Sequence, residues 1–239
     1  MVRNSRGAQV QTSLQVISYP KSGRTWLRVM LDEAGIVASY THLGWSHQGA
    51  RRPDELTIEL DPRFARHVAL FRDPRDTVVS GYHQATARLR KYSGPVSAFI
   101  RDPRHGIEKT IAFNLGLAAL CAGRPDSLVL TYEDMLASPA AGLRAVAQLV
   151  GHDLDAPTAA RIAENNEFER MQARERAGEY NARYGAAFGS HADTPAVALK
   201  VRRGVAGGYR DELSPADVDY VDGLLARANY FERMAAFLG

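Results

Sequence analysis

"VISYPKSGRTW", residues 16–26, is the stretch on which the reading of this chain turns. Val16 to Tyr19 form an apolar run that ends in Pro20. Lys21, Ser22, Gly23, Arg24 and Thr25 follow, and Trp26 then opens a helical spacing of apolar residues through Leu27, Met30 and Leu31, with Gly35 as its stop. A buried strand feeding a tight turn into a helix leaves backbone N–H groups pointing at one spot, and the helix dipole makes that spot attractive to anions. Gly23 lets the backbone approach a ligand closely, Ser22 and Thr25 add hydroxyls, and Lys21 adds a charge on a flexible stem. The loop reads as a phosphate or sulfate cradle. It is not a Walker A loop, which places a glycine well before its lysine; here Lys21 precedes the loop's glycine. Trp26 offers a face for a stacked base or packs in the core.

Working outward, Leu14–Tyr19, His67–Phe71 and Ser127–Thr131 read as strands. Asp73-Pro74 is an N-cap followed by a first-turn proline, starting a helix that runs to about Arg90. Further helices are expected at 106–121, 139–150, 156–164 and 214–228. Strands alternating with helices predict an α/β fold of three layers, a central mostly parallel sheet flanked by helices. Residues 1–12 are expected to be a flexible tail and 13–239 a single domain. Residues 176–200 lose periodicity and are rich in Gly and Ala, which predicts a long loop.

Composition narrows the classes. The chain has 239 residues, 45% of them hydrophobic, which suffices for a sizeable core. A formal net charge of +3 is too small a surplus for a nucleic-acid binder, whereas it suits an anionic small molecule. The one cysteine, Cys121, excludes an internal disulfide and a thiolate metal site. No apolar run is long enough for a membrane span, and the polar N-terminus lacks the apolar centre of a signal peptide, so a cytoplasmic protein is expected. The Ala- and Arg-rich composition suits a bacterial chain.

Two further segments carry cations in loops. In "LFRDPRDTVVSGY", residues 70–82, Arg72 ends a strand and Ser80 lies in the following helix, so both can grip a second anion. In "KVRRGVAGGYRDELSP", residues 200–215, Arg202, Arg203 and Gly204 suit a flap that folds over a multiply charged ligand.

Together, "YPKSGRTW", "FRDPRDTVVSGY", "TYEDM" and "RRGVAGGYRDELS" resemble, in order, the motifs of the sulfotransferases that use 3′-phosphoadenylyl sulfate (PAPS), in particular the cytosolic ones. The resemblance implies a P-loop-NTPase-like sulfotransferase fold and spans residues 16 to about 215. It implies that Lys21, Ser22, Gly23, Arg24 and Thr25 hold the 5′-phosphosulfate, that Arg72 and Ser80 hold the 3′-phosphate with Arg202, Arg203 and Gly204, and that Trp26, Tyr132 and Phe168 surround the adenine. It also implies that no metal is required and that the product is adenosine 3′,5′-bisphosphate (PAP). Arg24 departs from the threonine common in the animal enzymes. Gly208-Tyr209 replace Asp-Trp, and only charges survive of the family's dimer motif at Arg210, Ser214, Pro215 and Asp219, which leaves the oligomeric state open.

Sulfonyl transfer needs cations where charge grows on the leaving phosphate, and a base near neutrality for the acceptor proton. Lys21 meets the first demand. His42, in a Thr-His-Leu context like that of the family's catalytic histidine, is the expected base, and His47 is the reserve. The rival readings are a P-loop-like kinase and a non-catalytic nucleotide binder. The acceptor, a small-molecule, lipid or carbohydrate hydroxyl or less readily an amine, is expected to meet loops 40–60, 84–105 and 176–200. Tyr180, Tyr184 and Phe188 there suit an apolar acceptor, whereas Arg174, Arg176 and Arg183 suit an anionic one.

Overall fold

A computed structural model describes residues 13–47, 49, 51–185 and 194–238. Four parallel strands form its sheet in the order β2-β1-β3-β4: β1 (Leu14–Ser18), β2 (Ser39–Thr41), β3 (Arg66–Phe71) and β4 (Ser127–Thr131). β1 is buried along its whole length and pairs on both sides, Val16 with Tyr40 and with Val68. A strand enclosed in this way has no polar face to present, which is why it reads as an apolar run.

Alternation along the strands sorts the core into two layers. Leu14, Val16, Val68, Leu70 and Leu130 point to one face, where they pack with Leu27, Met30 and Leu31 of α1 (Arg24–Glu33) and Leu143 and Val146 of α6 (Pro139–Leu149). Ile17, Ala69 and Phe71 point to the other. There they meet Val78 and Val79 of α2 (Pro74–His83), Phe99 of α3 (Val96–Arg101), Phe113 and Leu117 of α4 (Ile107–Cys121), and the C-terminal helices α10 (Pro215–Arg227) and α11 (Tyr230–Leu238). The expected three-layer α/β architecture is the one observed.

Local chemistry explains several boundaries. Asp73 caps α2 by accepting from the Arg75 N–H, with Pro74 in the first turn. Ser214 and Asp155 cap α10 and α7 (Ala156–Asn165) in the same manner. The helix expected to run to Arg90 instead stops at His83 and continues as a wider π turn, Gln84–Arg88, closed by the Leu89 N–H on the Gln84 carbonyl. The expectation of a loop over 176–200 is corrected for its described parts, residues 186–193 lying outside them. A short helix, α9 (Glu179–Tyr184), occupies its start and a 3-10 turn, Ala196–Ala198, lies near its end. Tyr180 and Tyr184 are buried against Val29 and Met171, the latter on α8 (Phe168–Arg176), and this packing holds α9 in place despite the weak periodicity of its sequence. The N-terminal tail, residues 1–12, and Phe188 lie outside the described residues. Among the described residues no helix is long and apolar enough to cross a membrane.

Candidate active site

The strand order reverses direction between β1 and β3, and ligands in open parallel sheets bind beyond the strand C-termini at such a point. A cavity of about 230 Å³ lies there. All four strand exits contribute to it: Pro20–Trp26 after β1 (all but Ser22), His42 after β2, Arg72 after β3, and Tyr132 at the start of α5 (Tyr132–Ala137) after β4.

The loop after β1 turns through two left-handed residues, Lys21 at φ 76° and Gly23 at φ 91°. A β-carbon on Gly23 would stand 2.6 Å from Cδ2 of Tyr132, so only glycine lets the loop pass this ring. Gly23 is also the N-cap of α1, with no side-chain cap and no acidic residue in the first turn. The helix N-terminus therefore keeps its N–H groups and its positive potential for a ligand. Ser22 is the exception among the expected cradle residues. Its side chain is fully buried, is absent from the cavity wall, and its Oγ has no partner.

Arg72 ties the pieces together. Its Nη1 donates to the Lys21 carbonyl at 3.3 Å and its Nη2 to the Val205 carbonyl at 2.9 Å, while the guanidinium lies 4.4 Å from the centre of the Tyr132 ring. Its Nε is buried without a partner, which suits a ligand oxygen. Ser80 lines the same wall.

The flap expected at 200–215 is fastened by two buried carboxylates. Glu175 of α8 accepts from the N–H groups of Lys200 and Val201, both at 2.8 Å. Asp76 of α2 accepts from Gly207 at 2.7 Å and Tyr209 at 3.0 Å. Between these anchors Arg202, Arg203 and Gly204 reach the cavity, with Arg202 paired to Glu212 at 2.8 Å and Arg203 to Glu212 at 3.2 Å. Gly204 has φ 65°, and a β-carbon there would fall 2.2 Å from Cδ2 of Phe168. Phe168, Tyr132 and Trp26 supply aromatic wall to the cavity, and Trp26 is held by its Nε1–H on the Asn166 carbonyl at 3.0 Å.

His42 also borders the cavity. Its Nδ1 is 2.6 Å from the Ser18 carbonyl. A carbonyl can only accept, so Nδ1 carries the proton and Nε2 keeps a lone pair. Burial, then the Arg24 charge, lowers the His42 pKa to about 3. Burial likewise lowers Lys21 to about 7, assisted by Lys200, Arg88, Arg72 and Arg202. His47 is elsewhere. It is fully buried, donates from Nδ1 to the His105 carbonyl at 3.0 Å, and meets Tyr19 edge-on at 4.8 Å.

Thus every expected site residue except Ser22 borders one cavity. Lys200, Gln84, Asn166 and Met171 also border it and were not singled out in the sequence. One signal was present: Ser80, Gln84 and Arg88 recur every four residues and so share a helix face.

The class this fold and site define is borne out by comparison. Residues 53–237 match the family described as Sulfotransferase domain, and the chain belongs to the sulfotransferase family, a family of transferases. Among solved structures it is similar to a mouse sulfotransferase, SULT7A1, complexed with PAP, at 18% identity and a TM-score of 0.65, covering 91% of this chain and 84% of that one. It is also similar to retinol dehydratase, in complex with androsterone and inactive cofactor PAP, at 18% identity and a TM-score of 0.62, covering 91% and 80%. No curated protein matches by sequence.

Proposed function

We propose that this sulfotransferase takes PAPS as its sulfonyl donor and transfers the group to a hydroxyl of a small acceptor, with His42 as general base and Lys21 on the leaving phosphate. One observation carries the reading: an imidazole whose Nε2 keeps a lone pair and a lysine in a loop suited to anions line one cavity. Partnerless buried polar atoms, Nη1 of Arg24 and Nε of Arg72, and the two glycine approaches to aromatic rings suit a nucleotide with charged groups at both ends. The structures of SULT7A1 and retinol dehydratase with PAP support the same donor.

PAPS supplies the activated sulfonyl group. Arg72, Ser80, Arg202 and Arg203 receive its 3′-phosphate, with Gly204 permitting close approach of the flap. Trp26, Tyr132 and Phe168 enclose the adenine. Lys21, the N–H groups of α1 and the Thr25 hydroxyl meet the phosphosulfate, where fixed donors stabilise the charge that grows on the phosphate. His42 accepts the acceptor proton at Nε2, and the Ser18 carbonyl then holds the imidazolium through Nδ1. The bound nucleotide's negative charge offsets the Arg24 and Lys200 fields that depress His42, moving it toward the range useful to a base. An assay of ³⁵S transfer from labelled PAPS to a panel of alcohols, phenols and amines tests the reading. Label transferred by the wild type is expected; tight PAP binding with no transfer to any acceptor would leave a nucleotide-binding protein instead.

A further inference from the structure

A carboxylate that does not border the cavity is bonded to two of the cations that do. Glu212 follows the 3-10 turn Gly208–Asp211, and its Oε1 takes Nη2 of Arg202 at 2.8 Å and Nη1 of Arg203 at 3.2 Å. Its Oε2 accepts from Nε2 of His83. His83 is the last residue of α2 and lies three residues, one neighbouring position on the helix face, after Ser80 on the cavity wall. Lys21, Ser80, His83 and Arg202 also border one smaller recess beside the main cavity, so flap and helix meet here in space.

Glu212 carries its charge throughout the working range of pH. Burial acts to raise its pKa, but the bonds to His83 and Arg202 and their charges outweigh burial and hold it at about 2. The side chains of His83, Arg202 and Glu212 are 17–19% exposed, so solvent screens their pairing only in part. Arg202 has reason to need such a partner. It shares the cavity with Lys21 and Arg72, and its charge is one of those that lower the Lys21 pKa. Like charge would push its side chain outward in the absence of a ligand, and Glu212 opposes this. The bond does not use the guanidinium up: Arg202 gives Nη2 to Glu212, and among the described residues no side-chain partner takes its Nε or Nη1. Arg203 is held from its other Nη by Asp211.

We propose that Glu212 is the positioning residue of the 3′-phosphate clamp. Through Oε1 it sets Arg202 and Arg203, through Oε2 it ties both to the helix that carries Ser80, and it touches no ligand itself. The inference rests on the assignment of Arg202, Arg203 and Ser80 to the 3′-phosphate above. By charge alone a carboxylate so close to a phosphate site would weaken the nucleotide, whereas a positioning residue strengthens it. The sign of one substitution therefore separates the two roles.

The test uses the full chain with PAP and with AMP, which differ only in the 3′-phosphate. Glu212→Gln keeps the shape of the side chain and removes its charge. Calorimetry should show PAP weakened at least about tenfold, the worth of one charge-assisted hydrogen bond, and AMP changed by no more than about threefold. Glu212→Asp keeps the charge and should recover part of the lost PAP affinity. In an Arg202→Met background the loss from Glu212→Gln should be at least about threefold smaller, because the two residues act through one bond. Unchanged or tighter PAP binding in Glu212→Gln would overturn the proposal, since Glu212 would then be idle or would compete with the phosphate for the arginines. Equal losses for PAP and AMP, or losses that multiply in full in the double variant, would overturn it too. A wild type that binds PAP no better than AMP would instead remove the 3′-phosphate assignment on which the inference rests.

Discussion

Gly204→Ala is the substitution whose consequence the structure sets out most fully. The new methyl would lie 2.2 Å from Cδ2 of Phe168, 2.8 Å from Cγ and 3.0 Å from Cε2. Carbon atoms pack at ~3.5–4.0 Å, so the ring or the flap must move by more than about 1 Å. The flap is held on both sides, by Glu175 at Lys200 and Val201 and by Asp76 at Gly207 and Tyr209, so the ring is the part that yields. A φ of 65° adds a backbone cost of about 1–2 kcal/mol for any residue with a β-carbon. A base stacked on an aromatic side chain is worth ~1–3 kcal/mol, so displacing Phe168 should weaken PAP by about 5- to 150-fold. Titration calorimetry reads this, with thermal unfolding of the free protein separating the backbone cost. Phe168→Ala should lose a similar amount, and adding Gly204→Ala to it should change PAP affinity by no more than about threefold, because the clash has gone. Wild-type affinity in Gly204→Ala, or losses that add in the double variant, would refute the placement of Phe168 against the base.

Other expectations concern the chemistry. His42→Ala should lower kcat by about 10²- to 10⁴-fold in the ³⁵S assay while PAP affinity stays within about threefold; equal turnover would remove His42 from the mechanism. Arg72→Ala should weaken PAP at least about tenfold and leave AMP nearly unchanged, and calorimetry showing equal loss for both would place Arg72 away from the 3′-phosphate. Lys21 titrates at about 7 in the free protein against 10.5 unperturbed, so its contribution to stability is fully present above 10.5 and is lost as pH falls through 7. An anion beside Lys21 restores its proton. In the His42→Ala variant, which removes any uptake by the imidazole, PAP binding should therefore take up protons at pH 8, with Lys200 adding to the uptake, and few at pH 6, as calorimetry in buffers of different ionisation enthalpy would show; uptake that grows toward pH 6 in that variant would contradict this.

The cradle was legible because its signal is local: a buried run, a glycine and cations within eleven residues become strand, turn and helix N-terminus with little help from the rest of the chain. His42 was legible only through a resemblance. Its strand, β2, is three residues long, too short to show a period, and the Nδ1 contact with Ser18 crosses 24 residues of sequence. The burial of the Ser22 side chain could not be foreseen, because residue type does not reveal which way a side chain turns in a tight loop. α9 went unseen for a related reason: Tyr180 and Tyr184 are buried against α1 and α8, a tertiary contact that no local pattern announces. The same contact leaves them out of the cavity wall.

The central claim is that one cavity at the β1–β3 switch point binds a nucleotide phosphorylated at both ends of its ribose. Thermal unfolding with and without PAP tests it most directly. At about 100 times its dissociation constant PAP should add about 2.7 kcal/mol and raise Tm by about 5–10 °C, with adenosine giving little or no shift. An unchanged Tm at millimolar PAP, or an equal shift with adenosine, would contradict the account.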